Sequence, residues 1–207
     1  MVRFMRAFGV AVALLLVGAA SADRLIFIPT GRKTPLGTIR GEWIAKAHDT
    51  SHSALSLGYG LTKAIEIEAV RDALTTGRGR DTLNLSYSFL DPVVGFLPGL
   101  TVGVLDAADR TPQRRSFFVA TTMRLGLDGD YNSDTPAELT VGGGTERFRG
   151  LFVGLSLPLT NRFRILAEHD SRSVRAGVEW WVTRQVAVRN IQEDGASYWS
   201  AAFTRKL

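Results

Sequence analysis

The residues whose chemistry stands out are ten charges set into otherwise apolar, alternating stretches. They are Arg40 and Glu42, Glu66 and Glu68, Arg124, Arg164 and Glu168, Arg175 and Glu179, and Arg189. Five are arginines and five are glutamates. A lone charge taken out of water is costly, and opposite charges that face each other offset that cost. The guanidinium fork suits a carboxylate on a neighbouring strand. Such a set can form a paired network that fills an interior. It can also line a narrow passage, where opposed charges set a transverse field. The balance of signs gives no ion preference.

The other constellations carry less. His169-Asp170-Ser171 puts a histidine and a serine two residues apart on one strand face, but a serine nucleophile needs a base oriented by a third group. His48 and His52 lie four apart, with Asp49, in a stretch that reads as loop, where helical spacing makes no metal face. There is no cysteine, which excludes a thiol nucleophile, a disulfide scaffold and a Cys-ligated metal. GRGRD (77–81) and VGGGTERFRG (141–150) are glycine-rich but lack the order and the lysine of a phosphate loop. We therefore expect no enzyme, no cofactor and no metal site. The basic excess, 25 Lys and Arg against 20 Asp and Glu, is too mild to point to nucleic acid.

The elements that would position the ten charges count in twos. Leu55, Leu57, Tyr59 and Leu61 share one face opposite Ser56, Gly58 and Gly60, and Leu83, Leu85, Tyr87 and Phe89 share another opposite Asn84, Ser86 and Ser88. The same alternation runs through 150–158 and 173–182, and it is the period of a strand. Three segments repeat one layout: GYGLTKAIEIEA (58–69), GLSLPLTNRFRILAE (154–168) and GVEWWVTRQVAVR (177–189). Each opens on glycine, passes a short turn containing Thr62, Thr160 or Thr183, and resumes alternation, as a hairpin does. Twelve strands follow, at about 37–46, 53–61, 64–71, 82–90, 99–106, 116–125, 137–142, 150–158, 163–169, 173–182, 185–192 and 197–207. The threonine turns are then the second, eighth and tenth connections and lie at one end of a meander. Most charged connections are odd and lie at the other end, the layout of an outer-membrane barrel; two even connections, LDPVVGFLPG (90–99) and GLDGDYNSDTP (126–136), fit it less well.

The first 22 residues read as a signal peptide. Arg3 and Arg6 precede the apolar run Ala7–Ala20, and Ala20-Ser21-Ala22 supplies a cleavage pattern. The expected organisation is a signal peptide at 1–22, an extended N-terminal arm or plug at 23–36, and a β-barrel domain at 37–207. The fold class is all-β, an up-and-down antiparallel transmembrane barrel.

On the signal segment, the even strand count, the one-sided tight turns and the terminal strand SYWSAAFTRKL, with Trp199, Ala201, Phe203 and Leu207 on one face, residues 37–207 resemble bacterial outer-membrane β-barrel proteins. The class usually ends in Phe or Trp, and Leu207 departs from that. The hairpin style is also similar to the YjbH-like barrels linked to exopolysaccharide export. His169 and Ser171 are similar in spacing to the His-x-Ser of outer-membrane phospholipases, but strand 173–182 lacks the Asn that orients that family's histidine, and Asn190 lies one strand further on. The resemblance implies an outer-membrane location, contact with its lipid and assembly by the barrel-assembly machinery.

Three functions follow as expectations. The first is a small barrel with a structural, adhesive or transport-accessory role and a charge-paired lumen. The second is a small porin-like channel, and the third a soluble periplasmic β-sandwich binding a partner. Leu57, Leu85, Val119, Val153 and Val178 should face lipid. The odd connections place Arg78, Arg80, Arg110, Arg114, Arg115, Arg147 and Arg149 at an outer rim, beside Asp72, Asp81, Asp106, Asp109 and Glu146. Arginine forks bind phosphate, so lipopolysaccharide or acidic saccharide is the partner expected there.

Overall fold

The computed structural model describes residues 24–74, 79–126 and 135–207. The expected signal peptide and Arg78 lie outside the described residues. Twelve strands follow the chain: β1 (Thr38–Lys46), β2 (Asp49–Gly60), β3 (Ile65–Asp72), β4 (Arg80–Leu90), β5 (Gly99–Leu105), β6 (Ser116–Leu125), β7 (Ala137–Gly144), β8 (Gly150–Pro158), β9 (Phe163–His169), β10 (Val174–Trp181), β11 (Val186–Glu193) and β12 (Ala196–Lys206). Each pairs antiparallel with its neighbours in sequence, and β1 closes on β12 to complete the barrel. Closure into a single sheet excludes the two-sheet sandwich.

The alternation in sequence becomes alternation across the wall. Leu55, Leu57 and Tyr59 are exposed, whereas Ser56, Gly58 and Gly60 between them are buried. Leu57, Leu85, Val119, Val153 and Val178 are 54, 44, 46, 43 and 47 % exposed, all on the outer surface. Polar residues such as Thr122, Thr140, Ser156 and Ser200 turn inward and are buried. The wall is apolar outside and mixed inside, the reverse of a soluble protein.

The three threonine hairpins share one construction. The hydroxyl of Thr62 accepts the N–H of Ala64 and Ile65 at 3.1 and 2.9 Å. Thr160 accepts those of Arg162 and Phe163, both at 3.1 Å. Thr183 accepts those of Gln185 and Val186 at 3.1 and 3.0 Å. This side-chain turn satisfies the donors that a tight reversal strands. The connection at 91–98 joins these turns at the same end. It makes a small hairpin of its own through Val93 and Leu97, and it leaves Phe96 86 % exposed.

At the other end the structure shortens one expected loop. β2 begins at Asp49, and Lys46 pairs with Asp49, so the connection from 47 to 52 contracts to Ala47-His48. A register shift at Ala45/Lys46 absorbs the difference. Asp49 braces the extension by accepting from Ser51 Oγ at 2.5 Å and pairing with His52 Nδ1 at 2.9 Å.

Residues 24–36 enter the barrel. Arg24 bridges to Pro29, and Leu25 N–H donates to the Ile28 carbonyl at 3.1 Å, so the arm ends in a tight reversal. Leu25, Ile26 and Ile28 are buried and pack in one cluster with Phe118, Phe152, Leu166 and Ile191 of the wall. Glycine makes the approach possible: a Cβ on Gly154 would lie 2.5 Å from Leu25 and 2.6 Å from Ile28. The hydrophobic core of this barrel forms where its own N-terminal segment packs against the inner wall.

Candidate functional site

Three consecutive backbone N–H groups converge on one carboxylate. The carboxylate of Glu168, on β9, accepts from Ile26 at 3.0 Å, from Phe27 at 3.1 and 3.0 Å on its two oxygens, and from Ile28 at 3.2 Å. The reversal at Leu25–Ile28 turns these donors to one side, where a dedicated acceptor satisfies what would otherwise be costly orphans. Arg175, facing Glu168 across the β9–β10 ladder, pairs with it at 3.2 Å. The same guanidinium reaches Asp170 at 2.6 Å and Glu193 at 2.5 Å, and it stands 4.8 Å over the ring of Phe27. A pair of strand charges thus becomes a clamp on the arm.

The rest of the arm is tied to other strands. Arg24 pairs with Glu68 of β3 at 2.6 Å and donates to Ser56 of β2 at 2.9 Å. Gly31 N–H donates to Thr122 of β6 at 2.7 Å. Arg32 pairs with Glu138 of β7. Thr34 N–H donates to Glu66 of β3 at 2.7 Å. Lys33, its side chain buried, pairs at 2.5 Å with the exposed Asp91 of the 91–98 connection.

All ten strand charges named from the sequence are inward and buried or half-buried, but they do not all pair with one another. Arg40 and Glu42 do, at 2.7 Å. Arg189 joins Glu42 at 3.2 Å and Glu179 at 3.5 Å, and Ser200 donates to Glu42 at 2.6 Å. Arg175 and Glu168 form the clamp. Glu66 and Glu68 instead serve the arm, and Asn84 also donates to Glu68 at 2.8 Å. Arg124 finds Glu138 at 3.4 Å. Arg164 faces Glu179 in register, yet its Nε donates to Ser156 at 2.8 Å and its Nη2 to the Pro136 carbonyl at 2.7 Å.

Arg24, Arg32, Glu138, Asp170 and Glu193 belong to the network and were not among the ten. Glu138 had a signal, since it shares the inward parity of Thr140 and Gly142 and faces Arg124 in register. The arm residues had none, because their partners lie on strands remote in sequence.

The lumen is filled from its middle toward the odd-loop end, where Asp72, Asp106, Arg114 and Arg147 surround only a small pocket. At the threonine-turn end a cavity of about 590 Å³ remains. Its mouth carries Asn161, Arg162, Thr183 and Arg184.

Of the rim arginines, Arg80, Arg110, Arg114, Arg115 and Arg149 are exposed, and Arg80 donates to the Arg110 carbonyl at 3.0 Å. Arg147 departs from the expected rim. It is half-buried and lines the small pocket, because its N–H is drawn down onto Ser116 Oγ at 2.9 Å. The histidine–serine pair does not assemble: His169 Nδ1 lies 3.2 Å from the Ser173 carbonyl, and Ser171 Oγ donates to the Leu151 carbonyl. Asn190 bonds to Ser197 at 3.2 Å and to Gln192 at 3.0 Å, away from both. Among the described residues, no three of His, Cys, Asp or Glu are grouped to hold a metal.

No protein-family model and no curated protein matches the sequence. Solved structures are similar in part. The NanC porin matches at 9 % identity and a TM-score of 0.48, over 82 % of this chain and 99 % of that one. OprB of Pseudomonas putida in its low-pH structure matches at 14 % and 0.34, over 82 % of this chain and 62 % of that one. The N-terminal β-barrel domain of Pseudomonas aeruginosa OprF matches at 15 % and 0.27, over 82 % and 98 %. Nothing found supports the narrower YjbH-like likeness.

Proposed function

We propose that this chain is a small outer-membrane barrel whose lumen is closed by its own N-terminal segment, with a structural or transport-accessory role. The membrane setting is supported by the apolar outer wall and by its aromatic edges. Tyr59, Tyr87, Phe89, Phe163, Trp180 and Phe203 lie toward the threonine-turn end, and Trp43, Phe117 and Trp199 toward the other; all are exposed. Aromatic girdles at two levels around an apolar band are what two membrane interfaces demand. The threonine turns then belong on the periplasmic side and the charged loops outside.

One observation carries the closed lumen: Glu168 holds three N–H groups of the arm in the barrel interior. An open pore would need that carboxylate solvated and the Leu25–Ile28 cluster elsewhere. Planar-bilayer recording of the refolded chain tests this. Wild type should give no steady conductance, and Glu168→Ala or deletion of residues 24–34 should give openings. Steady conductance from the wild type sinks the closed reading.

The porin-like channel is the second reading, favoured by the open cavity at the threonine-turn end. Removal of the arm would extend that cavity through the barrel, so both readings share one structure in two states of the arm.

For the loops we infer contact between Arg80, Arg110, Arg114, Arg115 and Arg149 and the phosphates of lipopolysaccharide or an acidic saccharide. Labelling of intact cells with a tag in the 106–115 loop tests their placement. Labelling at the Thr62 or Thr160 turn in its stead inverts the topology and removes the inference.

A further inference from the structure

We propose that the cavity at the threonine-turn end is a binding site for a small soluble anion carrying two or more carboxylate or phosphate groups. Seven arginines and two glutamates line it. Two of those arginines are spoken for, Arg24 by Glu68 at 2.6 Å and Arg189 by Glu42 and Glu179 at 3.2 and 3.5 Å. Arg124 and Arg32 converge on the same Oε1 of Glu138.

Arg164 has no carboxylate within ion-pair distance among the described residues. Its bonds to Ser156 Oγ and the Pro136 carbonyl are to neutral groups. They fix the guanidinium plane against the wall without compensating its charge. Glu138 and Glu179 attract it from beyond contact, and Arg32 and Arg189 oppose them as weaker like charges. A half-buried cation held in place, without a carboxylate in contact and facing a cavity, is pre-organised for an anion. Arg162 and Arg184, each just past a turn threonine, add exposed positive charge at the mouth. An excess of positive charge around a low-dielectric cleft focuses the field and draws anions in.

The chemistry and size of the ligand follow. Guanidinium forks take carboxylate and phosphate oxygens in pairs. A volume of about 590 Å³ is that of a small-molecule pocket. The wall is closed by twelve ladders and the mouth faces along the barrel axis, so the ligand is soluble and not an acyl lipid. The site rests on the lumen geometry and does not depend on the arm being a gate.

The test is calorimetric titration of citrate into the full chain, folded in a neutral detergent at low salt, with glucose as the uncharged control. Saturable binding of one citrate per chain, weakened by salt, is expected. Arg164→Gln should bind at least about tenfold more weakly, Arg164→Lys, which keeps the charge but not the fork, should lose less, and Arg172→Gln, exposed in the β9–β10 connection at the opposite end, should bind as wild type. Heat-modifiable gel migration checks that each variant folds. If Arg164→Gln does not fold, the exposed pair Arg162→Gln/Arg184→Gln carries the test, with a severalfold loss expected. Absence of saturable citrate binding, equal binding of glucose, or wild-type affinity in the folded Arg164→Gln chain overturns the proposal. Micelles doped with phosphatidylglycerol separate the two phosphate sources: undiminished citrate binding supports the soluble ligand, and displacement of citrate by the lipid overturns it.

Discussion

Glu168 takes the backbone N–H of Phe27 on both oxygens of its carboxylate, at 3.1 and 3.0 Å, across 141 residues of sequence. Glu168→Gln keeps the shape but removes the charge and half the acceptor capacity. Hydrogen bonds to a charged group contribute about 1.5–3 kcal/mol, and Arg175 retains Asp170 and Glu193. The expected loss is therefore about 2–3 kcal/mol, read as a lower midpoint of urea unfolding in detergent, with hydrogen exchange at 25–28 quickened more than in the strands. Equal protection of the arm in both proteins would show that the clamp is not what holds it.

The outer wall makes a second prediction. Arg placed at Leu57, Leu85, Val119, Val153 or Val178 should cost about 2–4 kcal/mol near the bilayer midplane. Refolding yield into phosphatidylcholine vesicles measures it. Unchanged yield at all five positions would mean that this surface does not meet hydrocarbon.

Asp106 gives a pH dependence. Burial disfavours its charge, but the N–H groups of Arg110 and Thr111, at 2.9 and 2.7 Å, and the Thr111 hydroxyl at 2.8 Å outweigh that and hold its carboxyl below the ordinary range. A carboxyl depressed in the folded state adds stability that is complete above its unfolded pKa of about 3.9. That stability is lost as pH falls through the lower folded value. The 106–115 loop should therefore stay ordered at pH 5 and become a pepsin substrate at the acid end. Asp106→Asn should be cut at similar rates relative to denatured chain at every pH pepsin tolerates. If wild type shows no such acid step, the loop is held by something else.

Gly154 tests the seating of the arm without touching a charge. Its missing Cβ is the space that Leu25 and Ile28 occupy. Gly154→Val should overpack the lumen at a cost of about 1–3 kcal/mol and push the arm toward the threonine-turn end. Limited proteolysis should then cleave within 24–36 while the barrel still migrates as a folded species. Resistance of the arm equal to wild type would place it elsewhere.

Much of the wall was legible because a strand with one apolar face writes that face into every second residue. Leu83, Leu85 and Tyr87 needed no partner to be read as outward. The threonine turns were legible for a local reason as well, since the hydroxyl of Thr62 answers donors only two and three residues away. The arm was legible as non-alternating chain, but its seat in the lumen was not. Ile26, Phe27 and Ile28 engage Glu168 through backbone N–H, which every residue but proline carries, so their side chains announce nothing. Arg164 shows the same limit from the other side. Its strand parity aims it inward, but its choice of Ser156 and the Pro136 carbonyl over Glu179 depends on distances that no spacing encodes.

Seen from along the axis, the arm touches β2 and β3 through Arg24, β6 through Gly31, β7 through Arg32 and β9 through Ile26, Phe27 and Ile28. It works mechanically as a set of spokes under a rim. A hollow tube of hinged strands can flatten into an ellipse under sideways load, because ladders resist stretching far better than they resist bending. Spokes of unequal length joined at one hub forbid that mode, since any flattening must shorten one tie and stretch another. The stiffness of this barrel against lateral squeezing is therefore set by the arm within it as much as by the twelve strands around it.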